Sequence, residues 1–232
     1  MRRSERSLVT ALREIRHHPK ELTLAAYAAG NLDEARAVVV ASHVSACGAC
    51  RTAVRDFEAV GGACLLSIEP VAMNNSALDS FWARAGRQER ASRPVSTRAA
   101  NDFSLDASHP LAVYLKDGVD AIEWRAVAPG VAQRVIPAEG YRPGVLRLLK
   151  LAPGVRVPRH THGDEELTLI LRGSYVDEVG EFAEGDLADL DGDVWHGPVA
   201  TGDKPCICLI ATSAPLKFAT LFGRVFQPFF GL

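Results

Sequence analysis

The chain changes its residue pattern near the middle, and this change limits the folds open to it. Residues 1–85 are rich in alanine and repeat their apolar residues at helical spacing. Residues 103–232 carry proline and glycine at short intervals between runs of valine, leucine and isoleucine, as all-β domains do. The stretch between them, 86–102, is polar and lacks apolar periodicity, which is typical of a linker. We therefore expect two domains, a small all-α domain followed by an all-β domain.

Apolar spacing and cap residues predict the elements of each domain. Gly30 and the pair Gly61-Gly62 are expected to end the second and fourth helices. The helices are expected at about 8–15, 20–29, 32–45, 49–59 and 78–85. The strands are expected at 121–127, 144–151, 166–171, 174–179, 185–190 and 206–212. Turn signals separate these strands, and their spacing indicates a small barrel or sandwich.

Composition and charge exclude several classes of protein. With 232 residues, 47% hydrophobic content and a net charge of −2, the chain is an ordinary globular protein. Its longest aliphatic run, Ala37–Ala41, is far below the ~18 apolar residues of a membrane span, and its N-terminus lacks the apolar segment of a signal peptide. We expect a cytoplasmic protein without membrane association. The first 100 residues hold 14 basic and 10 acidic residues, too small a surplus to indicate direct nucleic-acid binding.

His43, Cys47 and Cys50 form the motif H-x-x-x-C-x-x-C. On a helix the first two project from the same face and Cys50 follows one turn later, so all three can surround one ion. A structural zinc site needs a fourth ligand, and the nearest candidates are His17 and His18. Two alternatives are ordinary core cysteines with a surface histidine, and a thioredoxin-like dithiol, which would need a preceding strand. We favour zinc, because its binding would stabilise a small helical domain with a thin core.

The stretch HHPKELTLAAYAAGNLDEARAVVVASHVSACGACRTAV, with EAVGG after it, resembles the zinc-binding domain of ChrR-type anti-sigma factors. In that family an upstream histidine and the H-x-x-x-C-x-x-C motif supply four zinc ligands, and spacing to the Ala-Tyr-Ala-Ala-Gly helix favours the second histidine of the pair. The ligands implied here are His18, His43, Cys47 and Cys50. The resemblance also implies that this domain binds an extracytoplasmic-function sigma factor and keeps it from RNA polymerase. The partner-binding residues that it implies are Leu78, Phe81, Trp82 and Ala85.

A second metal-binding pattern, G-x5-H-x-H-x3-E-x6-G, spans residues 154–173. Residues two apart on a strand face the same side, so Glu166 shares the face of the two histidines and Glu165 does not. His196 is the only histidine after this pattern. The expected ligands are His160, His162, Glu166 and His196. Zinc, iron, manganese, nickel and copper all suit this set, whereas a solvent-facing histidine pair would not need the five-part spacing.

This pattern resembles the first cupin motif, and residues 185–196 resemble the second, although its usual proline and asparagine are absent. ChrR-type anti-sigma factors join a zinc-binding domain and a cupin in this order, and PCICLIATSAPLKF and QPFF are similar to their C-terminal region. The resemblance covers almost the whole chain. It implies a cupin β-barrel over 103–232 that holds zinc or another divalent transition metal.

Other cysteine and aromatic residues give weaker signals. Cys206 and Cys208 lie two apart on an expected strand, so both thiols face one side. They are either a redox-sensing pair or small buried hydrophobic residues, and we favour the second because same-face neighbours on a strand have poor disulfide geometry. Cys64 and Trp195 are expected in the core, and His109 is expected in solvent.

Two functions fit these features. In the first, the zinc domain binds and inhibits a sigma factor while the cupin senses a signal; the resemblance implies an oxidative signal, singlet oxygen or an organic hydroperoxide, that relieves inhibition. In the second, the chain is a metal-dependent cupin oxygenase or isomerase whose zinc helices are an interaction module, since fold does not determine function. We favour the regulator, which needs no catalytic residues. Sigma-factor capture by the first domain supports it, and turnover by residues 103–232 supports the enzyme.

Overall fold

The computed structural model describes residues 14–85, 109–115, 121–137 and 144–212, and the backbone of 216–218. Most of the helix expected over 8–15 lies outside these ranges, as do the expected linker over 86–102 and the QPFF stretch. Helices precede an antiparallel β region along the chain. The predicted order of an all-α region followed by an all-β region is therefore confirmed.

Four α-helices form the described part of the first region: α1 (Glu21–Ala28), α2 (Glu34–Ala46), α3 (Gly48–Leu66) and α4 (Ala77–Ala85). Gly30 follows α1 with a φ of 69°, which a residue without Cβ adopts easily, so this predicted stop is confirmed. The Asp33 side chain accepts the Arg36 N–H at 3.0 Å and caps the start of α2. The predicted end of α3 at Gly61-Gly62 was wrong, because glycine within a helix costs only about 1 kcal/mol and does not by itself end one.

Cys47 forms the break between α2 and α3, which meet at an angle of 118°. Its backbone is extended, its N–H donates to the His43 carbonyl at 2.8 Å, and its Sγ accepts the N–H of Cys50 at 3.5 Å. The three residues of the H-x-x-x-C-x-x-C motif therefore lie on two helices and the corner between them, and not on one helix. Within the described ranges, only this bent pair of helices together matches a membrane span in length and composition, and no single helix does.

The β region begins with a 3₁₀ turn at Pro110–Val113 and contains short antiparallel strands. They are β1 (Arg125–Ala128), β2 (Val131–Ile136), β3 (Val145–Leu151), β4 (His160–His162), β5 (Glu166–Arg172), β6 (Ser174–Val176), β7 (Glu181–Ala183), β8 (Leu187–Leu190), β9 (Val199–Thr201), β10 (Cys206–Thr212) and β11 (Leu216–Phe218). The six expected strands are present with shifted ends. The three-residue strands β4, β7, β9 and β11 were not predicted as separate strands, because three residues are too few for an alternating pattern. The six-residue strand β2 was also not predicted.

Three sheets are formed by these strands. The largest has the order β1-β2-β3-β10-β5-β8, a second has β7-β6-β9, and β11 pairs with β4. Every pair is antiparallel. Both histidines of the expected metal-binding motif thus lie on the short strand β4, and His196 joins them through backbone hydrogen bonds of 2.9 Å with His160 in both directions.

Strand β10 is buried on both faces and connects two hydrophobic clusters. One face packs with α2, whose Val38, Val39 and Val40 belong to the same cluster as the outer side of the large sheet. The other face points into the barrel, where it packs with Tyr175 and Phe182. This double burial explains the uninterrupted apolar run CICLIA, which carries no alternation. The helical region and the barrel therefore share a core.

Three expectations about single residues were wrong. Cys64 is exposed, because Cys50 and Val54 are the buried residues of α3 and its C-terminal half extends beyond the core. His109 is buried, with its Nδ1 accepting the Leu111 N–H at 3.1 Å at the start of the 3₁₀ turn. Trp195 is 39% exposed beside the buried His196, so it is not a core aromatic residue.

Candidate metal centres

The structure brings together the four residues expected to bind zinc in the helical region. His18 lies in the segment before α1, His43 in the last turn of α2, Cys47 at the corner and Cys50 in the first turn of α3. One ligand atom from each lies within 4.8 Å of the others. Cys47, Cys50 and His43 are buried and His18 is exposed, so the group lies at the edge of the helical core.

The distances within this group fit a tetrahedral metal site. His18 Nδ1 lies 3.4 Å from the Sγ atoms of both cysteines, and His43 Nε2 lies 3.3 Å from Cys50 Sγ. Zinc binds sulfur at about 2.3 Å and nitrogen at about 2.0 Å, which places neighbouring ligand atoms of a tetrahedron roughly 3.5 Å apart. The hydrogen bond between the two thiols lowers the pKa of Cys47 well below its usual value and raises the pKa of Cys50, so the pair holds one thiolate of the kind that a metal requires. A Cys₂His₂ donor set of this shape fits zinc.

His17, the alternative to His18, faces away from the cysteines. Its Nε2 lies 3.1 Å from the Glu181 carbonyl oxygen and its ring lies 4.2 Å from that of Phe182, both in strand β7. Neighbouring residues in an extended segment point to opposite sides, which separates the two histidines. His17 contacts the barrel, and His18 belongs to the cysteine group.

The barrel orients the His43 ring through a hydrogen bond from the ring nitrogen that faces away from the cysteines. Its Nδ1 donates a hydrogen bond of 3.0 Å to the Gly185 carbonyl oxygen in the turn between β7 and β8. This bond leaves the lone pair of Nε2 directed at Cys50, because a neutral imidazole carries one N–H and one acceptor. Gly185 has a φ of 91°, a conformation that residues with Cβ rarely adopt. Glycines with this role are not distinguishable from turn glycines in the sequence.

Three histidines of the barrel form a second group. His160, His162 and His196 are buried, and one nitrogen of each lies within 4.8 Å of the others. The Nε2 atoms of His162 and His196 are 2.9 Å apart. Glu166 is buried beside them and outside this group, with its Oε2 3.1 Å from His162 Nδ1 and its Oε1 accepting a hydrogen bond from Thr168. Glu165 instead pairs with Arg36 of α2, as expected for the residue on the opposite face.

Burial keeps two imidazoles of the second group, those of His160 and His162, neutral. It lowers the pKa of His160 to about 4 and that of His162 to about 3, and the neighbouring His196 lowers the latter further. Three imidazole nitrogens that converge within the barrel, next to a buried carboxylate, form a donor set that suits a divalent transition metal.

Asp177 supports the second group and was not predicted from the sequence. Its Oδ2 accepts a hydrogen bond of 2.9 Å from His196 Nδ1, and its Oδ1 accepts the N–H groups of Val179 and Gly180. Burial raises the pKa of Asp177, but the hydrogen bonds from His196 and the backbone lower it overall, so the group stays ionised. A carboxylate behind a ligand histidine orients the ring and increases its basicity. The only signal in the sequence is an aspartate three residues before a glycine, typical of many turns.

Cys206 and Cys208 lie side by side on the inner face of β10. Their Sγ atoms are 3.6 Å apart, whereas a disulfide needs about 2.05 Å. A hydrogen bond with Cys206 and complete burial raise the pKa of the Cys208 thiol. A buried thiol with a raised pKa is a poor nucleophile, and the two sulfurs are not bonded, so this geometry favours the interpretation as small core residues.

The expected partner-binding residues lie on α4, whose residues all remain unburied. Leu78, Phe81 and Trp82 are 61%, 50% and 61% exposed, and the two aromatic rings contact each other edge to face at 5.0 Å. The preceding segment is also apolar and exposed. Its exposed residues are Val60, Leu65, Leu66, Ile68, Val71 and Met73. We name residues 60–85 the apolar segment. Single exposed apolar residues are common, but a run of this length marks an interaction surface.

Comparison with known proteins gives matches in both regions. The family of the ChrR cupin-like domain matches residues 117–215, and a zinc-finger family matches residues 23–51. The second match contains three of the four cysteine-group residues, and the first contains all three histidines of the barrel.

Two proteins resemble the chain over most of its length. It is 40% identical over 216 residues to the anti-sigma-E factor ChrR of Cereibacter sphaeroides. These aligned residues are 93% of this chain and 98% of that protein. The crystal structure of Rhodobacter sphaeroides SigE in complex with the anti-sigma ChrR matches at a TM-score of 0.72 and 38% identity, covering 86% of this chain and 100% of that one. With this identity along nearly its whole length and the same order of regions, the chain belongs to the ChrR family of anti-sigma factors.

Proposed function

We propose that this chain is a zinc-dependent anti-sigma factor that binds an extracytoplasmic-function sigma factor in the cytoplasm and keeps it from RNA polymerase. The observation that carries the proposal is the apolar segment, which extends from the helix that begins at the Cys47–Cys50 corner. The relative whose structure is known was crystallised with SigE, which supports a partner of the same class. Zinc bound by His18, His43 and the two cysteines holds α2 and α3 at their angle and so directs this segment.

The cupin region is, in our proposal, the sensor. His160, His162, Glu166 and His196 bind a divalent transition metal, and Asp177 orients His196. A metal with an open coordination position can bind or activate oxygen species, which fits an oxidative signal such as singlet oxygen or an organic hydroperoxide. Cys206 and Cys208 are core residues in this scheme and do not act as its redox pair, because both are buried and their Sγ atoms are 3.6 Å apart. The functional units are residues 1–85, the linker 86–102 and the cupin region 103–232.

Contacts between the two regions offer a route for the signal to reach the zinc site. Asp186 is buried, and its Oδ1 accepts the N–H groups of Arg16 at 2.7 Å and His17 at 3.0 Å, immediately before the ligand His18. Its Oδ2 accepts the Ala183 N–H at 2.9 Å and closes the turn that presents the Gly185 carbonyl to His43. One turn of the barrel therefore supports two zinc ligands. Movement of this turn changes both at once.

Replacing Asp186 by alanine is expected to weaken zinc binding at the helical site by about 10- to 100-fold, the usual effect of removing a partner of a metal ligand. The measurement is the rate at which a chelator removes zinc from the full-length protein. Asp203→Ala is the matched control, since Asp203 is an exposed aspartate in the loop before β10. Equal zinc loss from wild type and Asp186→Ala would show that the barrel does not support the site.

Co-purification of the tagged full-length chain with the extracytoplasmic-function sigma factors of its own organism tests the main proposal. We expect a one-to-one complex with a sigma factor, and release of that sigma factor when the complex is exposed to singlet oxygen or an organic hydroperoxide. A zinc-loaded chain that captures no sigma factor contradicts the anti-sigma function. A complex that forms but persists under every oxidant contradicts the sensor alone.

A further inference from the structure

Arg147 is a buried cation inside the barrel that neither metal centre uses as a ligand. It lies on β3 opposite Ile210 of β10, and only 2% of its surface is exposed. Its Nε and Nη1 atoms have no hydrogen-bond partner among the described residues. A guanidinium without partners in a protein interior is costly, because burial removes the water that would otherwise surround the charge. Such a group normally meets a bound anion or a carboxylate.

The side chain lines a cavity next to the second metal centre. Glu166, His160 and His196 line the same cavity, which has a volume of about 50 Å³, several times the ~10–15 Å³ that one water needs. The remaining lining is mostly apolar. It consists of Leu149, Leu151, Val157, Thr168, Tyr175, Pro198, Cys208, Ile210 and Thr212. The cavity therefore combines one cation and one metal centre with an apolar wall.

The charges around the cavity leave a surplus of positive charge. Burial lowers the pKa of Arg147 to about 10, so it stays protonated at neutral pH. Glu166 attracts it, but neither Nε nor Nη1 of Arg147 hydrogen-bonds to this carboxylate. With a divalent ion on the three histidines, Glu166 and Asp177 together offset two of three positive charges. An anion in the cavity would offset another.

We propose that this cavity binds a short-chain carboxylate, whose charged group pairs with Arg147 beside the metal centre and whose apolar chain lies against Leu149, Leu151 and Val157. The planar guanidinium matches a carboxylate in shape and charge, and the apolar wall favours an organic anion over an inorganic one. This binding site deepens the proposed sensor role of the cupin region and rests on it, because the expected metal ligands His160, Glu166 and His196 line the same cavity. Its failure is distinguishable from failure of the anti-sigma function, because α4 and the rest of the apolar segment take no part in the cavity.

Calorimetric titration of the full-length protein with acetate, butyrate and hexanoate tests the site. Butyramide serves as the neutral analogue of butyrate, and phosphate serves as the inorganic anion. We expect at least one carboxylate to bind, with both comparison compounds at least tenfold weaker. Arg147→Gln should weaken carboxylate binding at least tenfold, while Arg134→Gln, a half-exposed arginine on β2, should leave it unchanged.

Thermal unfolding shows whether a loss of carboxylate binding comes from the missing guanidinium or from a loss of the fold. Arg147→Gln removes an unpaired buried charge, so its unfolding temperature without ligand should equal or exceed that of the wild type, and its metal content should be unchanged. The proposal is overturned if no carboxylate of the series binds. It is also overturned if butyramide or phosphate binds as well as butyrate, or if Arg147→Gln binds butyrate like the wild type.

Discussion

Replacing both Cys47 and Cys50 by serine is expected to remove zinc from the helical region and to abolish the complex with the sigma factor. The two thiolates are half of the proposed ligand set, and both lie within 3.4 Å of His18 Nδ1. Structural zinc contributes about 10–16 kcal/mol of apparent binding free energy in small zinc-binding domains, far more than the free energy of folding that a few helices supply. Without it, the corner at Cys47 has no covalent or ionic restraint and the α2–α3 angle is lost.

The measurement is zinc content by native mass spectrometry together with sigma-factor capture. We expect one zinc ion fewer per chain and no detectable complex. Cys64→Ser is the matched control, because Cys64 is an exposed cysteine on the same helix and should change neither result. The α2 helix also packs on the barrel, so the variant is expected to keep the folded cupin region and its metal. If the double variant loses its zinc and still captures the sigma factor, zinc is not required for sigma-factor binding.

The second large effect is expected at the aromatic pair of α4. Phe81→Ala combined with Trp82→Ala should weaken sigma-factor binding by about 1,000-fold, since two aromatic hot spots of at least ~2 kcal/mol each lose their contacts. The same variant should unfold at the wild-type temperature, because both side chains are at least half exposed and support no core. This combination of lost binding and unchanged stability identifies an interface.

Titration of the purified complex partners measures the dissociation constant, and calorimetry measures the unfolding temperature. Val135→Ala is the control, since Val135 is 48% exposed on β2 of the cupin region and lies outside the apolar segment. Unchanged affinity of the Phe81, Trp82 variant would move the interface elsewhere on the helices. A lowered unfolding temperature would assign the two rings to the fold instead.

Much of the fold could be predicted because its signals are local. The H-x-x-x-C-x-x-C motif and the H-x-H-x3-E pattern fix ligand spacing along a few turns or one strand, and the structure brings the histidines and cysteines of each together. Gly30 ended a helix as expected because only its own backbone angle was involved. Gly61-Gly62 did not, because neither glycine adopts a positive φ and a glycine with helical backbone angles costs a helix only about 1 kcal/mol.

The functional residues that could not be predicted from the sequence are those whose partners lie far away along the chain. His43 and Gly185 are 142 positions apart, and Arg16 and Asp186 are 170 apart. In the sequence, Asp177 and Arg147 are indistinguishable from ordinary turn and strand residues, because their surroundings exist only in the folded barrel. The shared core of α2 and β10 was hidden for the same reason, since a polar stretch of the chain separates the two regions.

The sequence alone thus determined the order of the two regions, the ligand residues expected at each metal centre and the apolar stripe of α4, because each depends on residue type and short-range spacing. Tertiary structure alone decided that His18 faces the cysteines while His17 faces the barrel, and that a backbone carbonyl of the barrel orients His43. It also decided that Nε and Nη1 of Arg147 are buried with no hydrogen-bond partner in the described part of the chain. These features depend on which surfaces are removed from water when the chain packs, and burial is a property of the whole fold.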